Sequence, residues 1–227
     1  ISDLSHKEKQ TVLTAIVELM VSKSFKGSRA LELIGTVYTL RNEPAGSLTR
    51  DGREFSSMLN ACGRMDRQSL AVAVCFGERG LILDEIQEVV ASYRRTLADY
   101  MDWLTATVSA VMELEVVCVV RGEDKIAENM TGALSSILSS AGHLKPNKAT
   151  IVAARSRDGG LKVSARAPEA LLKKGADVGL ALQRAAAALG GFGGGHNVAA
   201  GAHIPPGNTE EFYRMIDRLI SEQMKKN

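Results

Sequence analysis

Five of the six residues from Gly190 to Gly195 are glycine, and the run leads into His196-Asn197-Val198-Ala199-Ala200-Gly201. Consecutive glycines reach positive φ at little steric cost and let a ligand approach the backbone with no Cβ in the way. Successive N–H groups of such a run can converge into a nest that suits phosphate or another oxyanion. His196, at the end of the run, can give a hydrogen bond or a proton to the same group. Gly190 also follows a helical run, so a glycine C-cap ahead of a hairpin is the plainer alternative; a cap needs one glycine, not five. No Lys-Ser/Thr follows, so the stretch is not a P-loop, and its spacing misses the G-x-G-x-x-G register. Ala199, Ala200 and Gly201 carry so little side chain that another backbone, or a ligand, can pack directly on their strand.

Gly193-Gly194-Gly195-His196 followed by Ala199-Ala200-Gly201 resembles the DHH-associated domain, the C-terminal substrate-binding domain of the DHH phosphoesterases. A related domain occurs in alanyl-tRNA synthetase. The resemblance implies a Ser-x-Arg upstream on a strand, which here is Ser164-Ala165-Arg166 in Leu161–Arg166. Strand alternation puts Ser164 and Arg166 on one side, with Lys162 before them. A guanidinium and a hydroxyl facing an amide nest would make an anion clamp; the alternative is an edge strand with solvated charges.

A second segment narrows the resemblance. Asn60-Ala61-Cys62-Gly63-Arg64-Met65 is similar to part of the RecJ-type single-strand exonucleases, and its surroundings are most like the archaeal members. At 100° per residue, Arg53, Ser57, Asn60 and Arg64 share one helical face, while Phe55, Met58, Leu59 and Cys62 share the other. One face can pack into a core while the other offers two cations and an amide to a polyanion. An ordinary amphipathic surface helix has the same spacing. Phe192, inside the glycine run, could stack on a terminal base or plug the loop onto the core.

The DHH phosphoesterases resembled here bind two divalent metals, manganese by resemblance, through Asp-His-His and other aspartates. Two-metal hydrolysis needs clustered carboxylate and imidazole ligands. The four histidines, His6, His143, His196 and His203, stand beside no aspartate, and no H-x-D, D-x-D or D-H-H occurs. The sequence opens on Ile1. The expectation is therefore the C-terminal portion of a longer protein, inactive alone, with the metals on an N-terminal catalytic domain.

Net charge is only +2, but its distribution is uneven. Nine Lys or Arg against three acids between Lys145 and Arg184 give that segment +6, leaving −4 for the rest. The surplus lies with the anion-clamp residues and favours a nucleic-acid backbone as partner. No apolar run approaches the ~20 residues of a membrane helix and no signal peptide is visible, so a cytoplasmic protein is expected. Cys62, Cys75 and Cys118 sit among apolar neighbours without metal spacing and read as buried free thiols.

The elements that must position these residues form an α/β protein in three parts. Residues 1–77 read as a helical region, with helices from Lys7 to Val21 behind a Ser5/Glu8 capping box, Arg29 to Leu40, Arg53 to Arg64 and Gln68 to Phe76. Residues 78–113 read as one long connecting helix of roughly 50 Å, a strut between domains. Residues 114–227 alternate strand and helix, forming the DHH-associated domain with a mixed sheet. The resemblance implies a portion that holds the end of a single-stranded nucleic acid for a RecJ-like exonuclease, with Gly193, Gly194, Gly195, His196, Ser164, Arg166, Arg53, Asn60 and Arg64 as binding residues and His196 as a possible catalytic assistant. Alternatives are a replication scaffold that joins the GINS complex, an RNA-binding appendage, and the substrate domain of an oligonucleotide or cyclic-dinucleotide phosphodiesterase.

Overall fold

The computed structural model describes residues 4–23, 35–140 and 143–225. The chain divides into two compact units, Ile1–Met58 and Leu59–Asn227. In the first, helix α1 (His6–Ser22) begins at the expected capping box, with the Ser5 and Glu8 side chains each accepting the other's backbone N–H. Residues 35–40 are not helical, contrary to the helix expected from Arg29 to Leu40; residues 29–34 lie outside the described residues. Thr39 instead bridges Asp51 antiparallel, flanked by Leu40 N–H to Arg50 O at 2.9 Å and Gly52 N–H to Tyr38 O at 2.8 Å. The β-branched Thr36, Val37 and Thr39 favour that extended pairing over a helix. Helix α2 (Gly52–Arg64) starts where the Asp51 carboxylate accepts the N–H groups of Arg53 and Glu54, an N-cap.

The second unit opens with α3 (Gln68–Cys75) and α4 (Leu81–Ala106). At 26 residues α4 spans roughly 39 Å, shorter than the strut expected from the apolar periodicity. Gly77 and Gly80, with φ of 104° and 56°, break the chain before it. After it Thr107 leaves helical geometry, and Val111–Glu113 becomes strand β1. Val111 keeps the periodic apolar pattern because it packs beside α4 residues from a strand instead of from a helix. Cys75, expected buried, is exposed at the end of α3, because Leu70 and Val74 take the buried face. Cys62 and Cys118 are buried, and burial raises both thiol pKa values.

Strands β2 (Val117–Arg121), β3 (Ala149–Arg155), β4 (Leu161–Arg166), β5 (Phe192–Gly195) and β6 (Ala199–Ile204) join β1 in one sheet ordered β1-β2-β3-β4-β6-β5. Only β2 and β3 run parallel, so the sheet is mixed, as expected. They are also the strands buried at every position but the last, the pattern of a strand covered on both faces. One face is covered by α7 (Val178–Ala188) and α8 (Thr209–Lys225), through Ala181, Leu182, Ala185, Phe212, Tyr213 and Ile216. The other is covered by α5 (Thr131–Ser140) and the C-terminal half of α4, through Leu134, Leu138, Leu97, Tyr100 and Leu104. The Tyr100 hydroxyl accepts the N–H of Ala127, fixing α4 to the turn that precedes α5. Asp217 of α8 accepts the N–H groups of Val116 and Val117 at 2.8 and 3.2 Å and so anchors the start of β2. A four-residue helix, α6 (Glu169–Leu172), links β4 to α7. Helix α5 packs over β3 and β4, so β6 and β5 extend the second face beyond it.

Candidate phosphate-binding site

The site grows from the register of three strands. Ser164 of β4 pairs with Gly201 of β6, which pairs with Gly194 of β5. One step along, Arg166 pairs with Ala199, and Ala199 exchanges both backbone hydrogen bonds with His196 at 2.8 and 3.2 Å. One step the other way lie Lys162, His203 and Phe192. Cross-strand partners project to the same face. The face therefore carries Arg166 on one side and His196 on the other, roughly 10 Å apart, with only the Ala199 methyl between them. From Ser164 to the sheet edge there is no side chain at all. A Cβ added to Gly194 would meet nothing within 4 Å, and one added to Gly201 only Val163 O at 3.4 Å.

Above this bare floor two guanidinium groups converge. Arg64, at the end of α2, donates from Nη1 to the carbonyl of Asn129 at 2.8 Å. A methyl placed on Gly132, in the first turn of α5, would touch Arg64 Nη1 at 3.6 Å, Arg64 Nη2 at 3.7 Å and Ser164 Oγ at 3.7 Å. Those groups thus surround one small volume. Ser164 Oγ is bonded to Thr131 Oγ1 at 2.9 Å. Arg166 donates from Nε to Ser136 Oγ at 3.0 Å and from Nη1 to Ala165 O at 3.0 Å. Burial first, and the nearby Arg64 charge second, lower the Arg166 pKa. Among the described residues neither guanidinium has a carboxylate within ion-pair distance. Two cations held together without an acid make a place for an anion.

The glycine run does not form the expected nest. Residues 192–195 are an extended edge strand, and extended backbone points successive N–H groups in opposite directions. The reciprocal bonds of His196 and Ala199 make Gly194 and Gly201 the next hydrogen-bonded pair, so the Gly194 N–H goes to β6 and those of Gly193 and Gly195 point away from it. The glycines instead serve two other purposes. Gly191, Gly193 and Gly195 allow close packing: added Cβ atoms would lie 2.2 Å from His203 O, 3.1 Å from Leu182 O of α7 and 2.5 Å from Ala199 O. Gly179 of α7 is in the same position, 2.8 Å from Gly195 O. Gly194 and Gly201 leave the floor open. Gly190, with φ 75°, is the positive-φ glycine that follows the C-cap residue Leu189 of α7.

A family model of the DHHA1 domain matches residues 116–222. That stretch is a DHHA1 domain. It runs from the start of β2 into α8 and contains Ser164, Arg166, Gly201 and the glycine run, while Arg64 reaches it from outside the matched residues. A curated relative, "Uncharacterized protein MJ0831" of Methanocaldococcus jannaschii, is 26% identical over 98% of this chain and 45% of its own length. The chain thus spans less than half the length of that relative. RecJ in complex with Mn2+ from Thermus thermophilus superposes with a TM-score of 0.54, at 15% identity, over 74% of this chain and 24% of that one. A solved DHH domain described as a member of the s1p family of ribosomal proteins superposes with a TM-score of 0.50, at 14% identity, over 75% and 42%. At these identities the likeness is one of fold. The chain thus carries a DHHA1 domain and shares its fold with these solved structures.

Within and beside the DHHA1 domain, Arg64, Ser164 and Arg166 come together, with His196 facing them across the floor. Asn60 is exposed, one turn before Arg64 on α2. Arg53 is exposed in the first unit. Much of the basic surplus is neutralised locally: Lys148 pairs with Glu113, Arg155 with Asp124, Arg157 with Asp66 and Glu128, and Lys173 with Glu169. Lys162 and Arg166 have no such partner among the described residues. Thr131 and Ser136, which hold Ser164 and Arg166, were not foreseen; Thr131-Gly132 at a helix start was the only available signal. Among the described residues no group of three or more His, Cys, Asp or Glu could hold a metal. The pair of metals that the resemblance implies therefore has no ligand set among the described residues. Among the described residues no helix is long and apolar enough to cross a membrane.

Proposed function

We propose that this chain is the phosphate-holding portion of a RecJ-like single-strand exonuclease, gripping the end of a nucleic acid while hydrolysis occurs on a separate metal-bearing domain. The observation that carries the reading is the pair of unmatched guanidinium groups of Arg64 and Arg166 over a floor without side chains. A terminal phosphate has the charge to neutralise both and the oxygens to accept from each, and Arg matches that planar fork geometry. Ser164 adds a hydroxyl, already oriented by Thr131. His196 stands across the floor, where it can bond a phosphoryl oxygen or stabilise charge on it. Holding the end phosphate fixes where the next bond lies, a contribution of position and not of bond breaking.

Titration of the chain with short single strands at two salt concentrations tests this. A 5′-phosphorylated strand binds more tightly than its unphosphorylated counterpart. The logarithm of the binding constant falls with the logarithm of salt with a slope of about −0.7 per phosphate engaged. Equal affinity for the two strands contradicts the reading. The chain alone releases no nucleotide with manganese present, since it lacks a cluster of metal ligands among the described residues.

A further inference from the structure

We propose that Phe192, backed by the ring of His203, is a stacking platform for the base of the nucleotide whose phosphate lies between Arg64 and Arg166. The proposal rests on the phosphate-holding reading above.

Phe192 is a large apolar ring on an edge strand otherwise made of glycine, and it is 69% exposed. It does not plug the core. Gly193 faces α7, where its added Cβ would approach Leu182 O, so by alternation Phe192 projects from the opposite face. There its ring lies 5.2 Å from that of His203, with 22° between the planes. One ring face is thus covered and the other is free. His203 is itself held: its Nε2 lies 3.0 Å from Asp158 Oδ2, and Asp158 accepts the Gly160 N–H at 3.0 Å in the β3–β4 turn. The platform is fixed before any ligand arrives.

Its position relative to the two arginines suits a nucleotide. Phe192 and Gly194 are alternate residues of β5, and Lys162 and Ser164 alternate residues of β4. The aromatic row therefore lies one step, roughly 7 Å, from the row that would carry the phosphate, on the same face. A depression of about 340 Å³ opens there, bounded by Phe192, His203, Lys162, Asn129 and Arg157, the last neutralised by Asp66 and Glu128 of the same wall. It has an aromatic wall, polar groups at its rim, and Lys162 without an ion-pair partner among the described residues. A base accepts stacking on either of its faces, and the polar rim can reach its edge.

The test uses the 227-residue chain and a short 5′-phosphorylated single strand ending in the fluorescent base 2-aminopurine, or in an abasic residue. The wild-type chain quenches the 2-aminopurine and binds the base-bearing end about 10-fold more tightly than the abasic end, within the range of base–aromatic stacking. Phe192→Leu removes both the quenching and the preference while keeping the preference for phosphorylated ends; Phe192→Trp keeps all three. Phe192 is exposed, so neither change threatens the fold. A base preference unchanged in Phe192→Leu, or absent from wild type that still prefers phosphorylated ends, overturns the platform alone. Loss of phosphate preference in wild type overturns the phosphate-holding reading and the platform with it.

Discussion

Arg166→Ala lowers affinity for a 5′-phosphorylated single strand by about 10- to 100-fold and affinity for the unphosphorylated strand by much less. A hydrogen bond to a charged group is worth about 1.5–3 kcal/mol, which sets that range. The site makes the effect specific. Arg166 is held by Ser136 and its own strand, so its guanidinium is placed before the ligand arrives. Burial first and the nearby Arg64 charge second lower its pKa, and an anion entering between the two cations gains from both at once. Arg64→Ala behaves alike. Arg166→Lys recovers charge but not the fork, and restores only part of the loss. Fluorescence anisotropy with labelled strands measures each case. Equal weakening of the phosphorylated and unphosphorylated strands would mean that Arg166 serves the strand in general and not its end.

Substitution separates the glycines into two groups with opposite consequences. Gly201→Ala places a methyl on the floor at an ordinary contact distance from Val163 O, so the fold tolerates it within about 0.5 kcal/mol. The same methyl stands where the phosphate must lie and lowers phosphorylated-strand affinity at least about 10-fold. Gly191→Ala and Gly195→Ala do the reverse. Their Cβ atoms would lie 2.2 and 2.5 Å from the carbonyl oxygens of His203 and Ala199, and backbone cannot move aside as a side chain can. Gly195, with φ 147°, also holds a conformation that disfavours a side chain. Each costs about 1–3 kcal/mol in urea unfolding, the usual penalty of overpacking. Retained affinity in Gly201→Ala together with retained stability in Gly195→Ala would show that the division is wrong.

Much of this site was legible in the sequence. Period-two alternation in Leu161–Arg166 placed Ser164 and Arg166 on one face, and the helical spacing of α2 separated Arg64 from the buried Met58 and Cys62. Both patterns depend only on local geometry, and local geometry held. The glycine run was misread for a related reason. Glycine permits a nest and an extended strand about equally, and the choice fell to the packing against β6 and α7, whose backbone carbonyls leave no room for a Cβ at Gly191 and Gly195 and little at Gly193. That approach is tertiary and leaves no mark on residues 190–195 except the glycines themselves. The end of α4 was missed because Val111 and Met112 continue an apolar rhythm that β1 satisfies as well as a helix, while Val108 of the same rhythm is left exposed. Residues 38–40 pair with residues 50–52, a contact across a loop that helical spacing cannot reveal. Charge counting also overstated the basic surface, since four of those nine cations meet acids, three of them from outside the segment at positions such as Asp66 and Asp124.

The most direct measurement is a crystal structure of this chain bound to a 5′-phosphorylated dinucleotide. The account predicts the terminal phosphate over Gly201, bonded by Arg64, Arg166 and Ser164, with His196 on its far side. A phosphate seated instead on the outward amides of Gly193 and Gly195 at the sheet edge, with the two arginines empty, would contradict it.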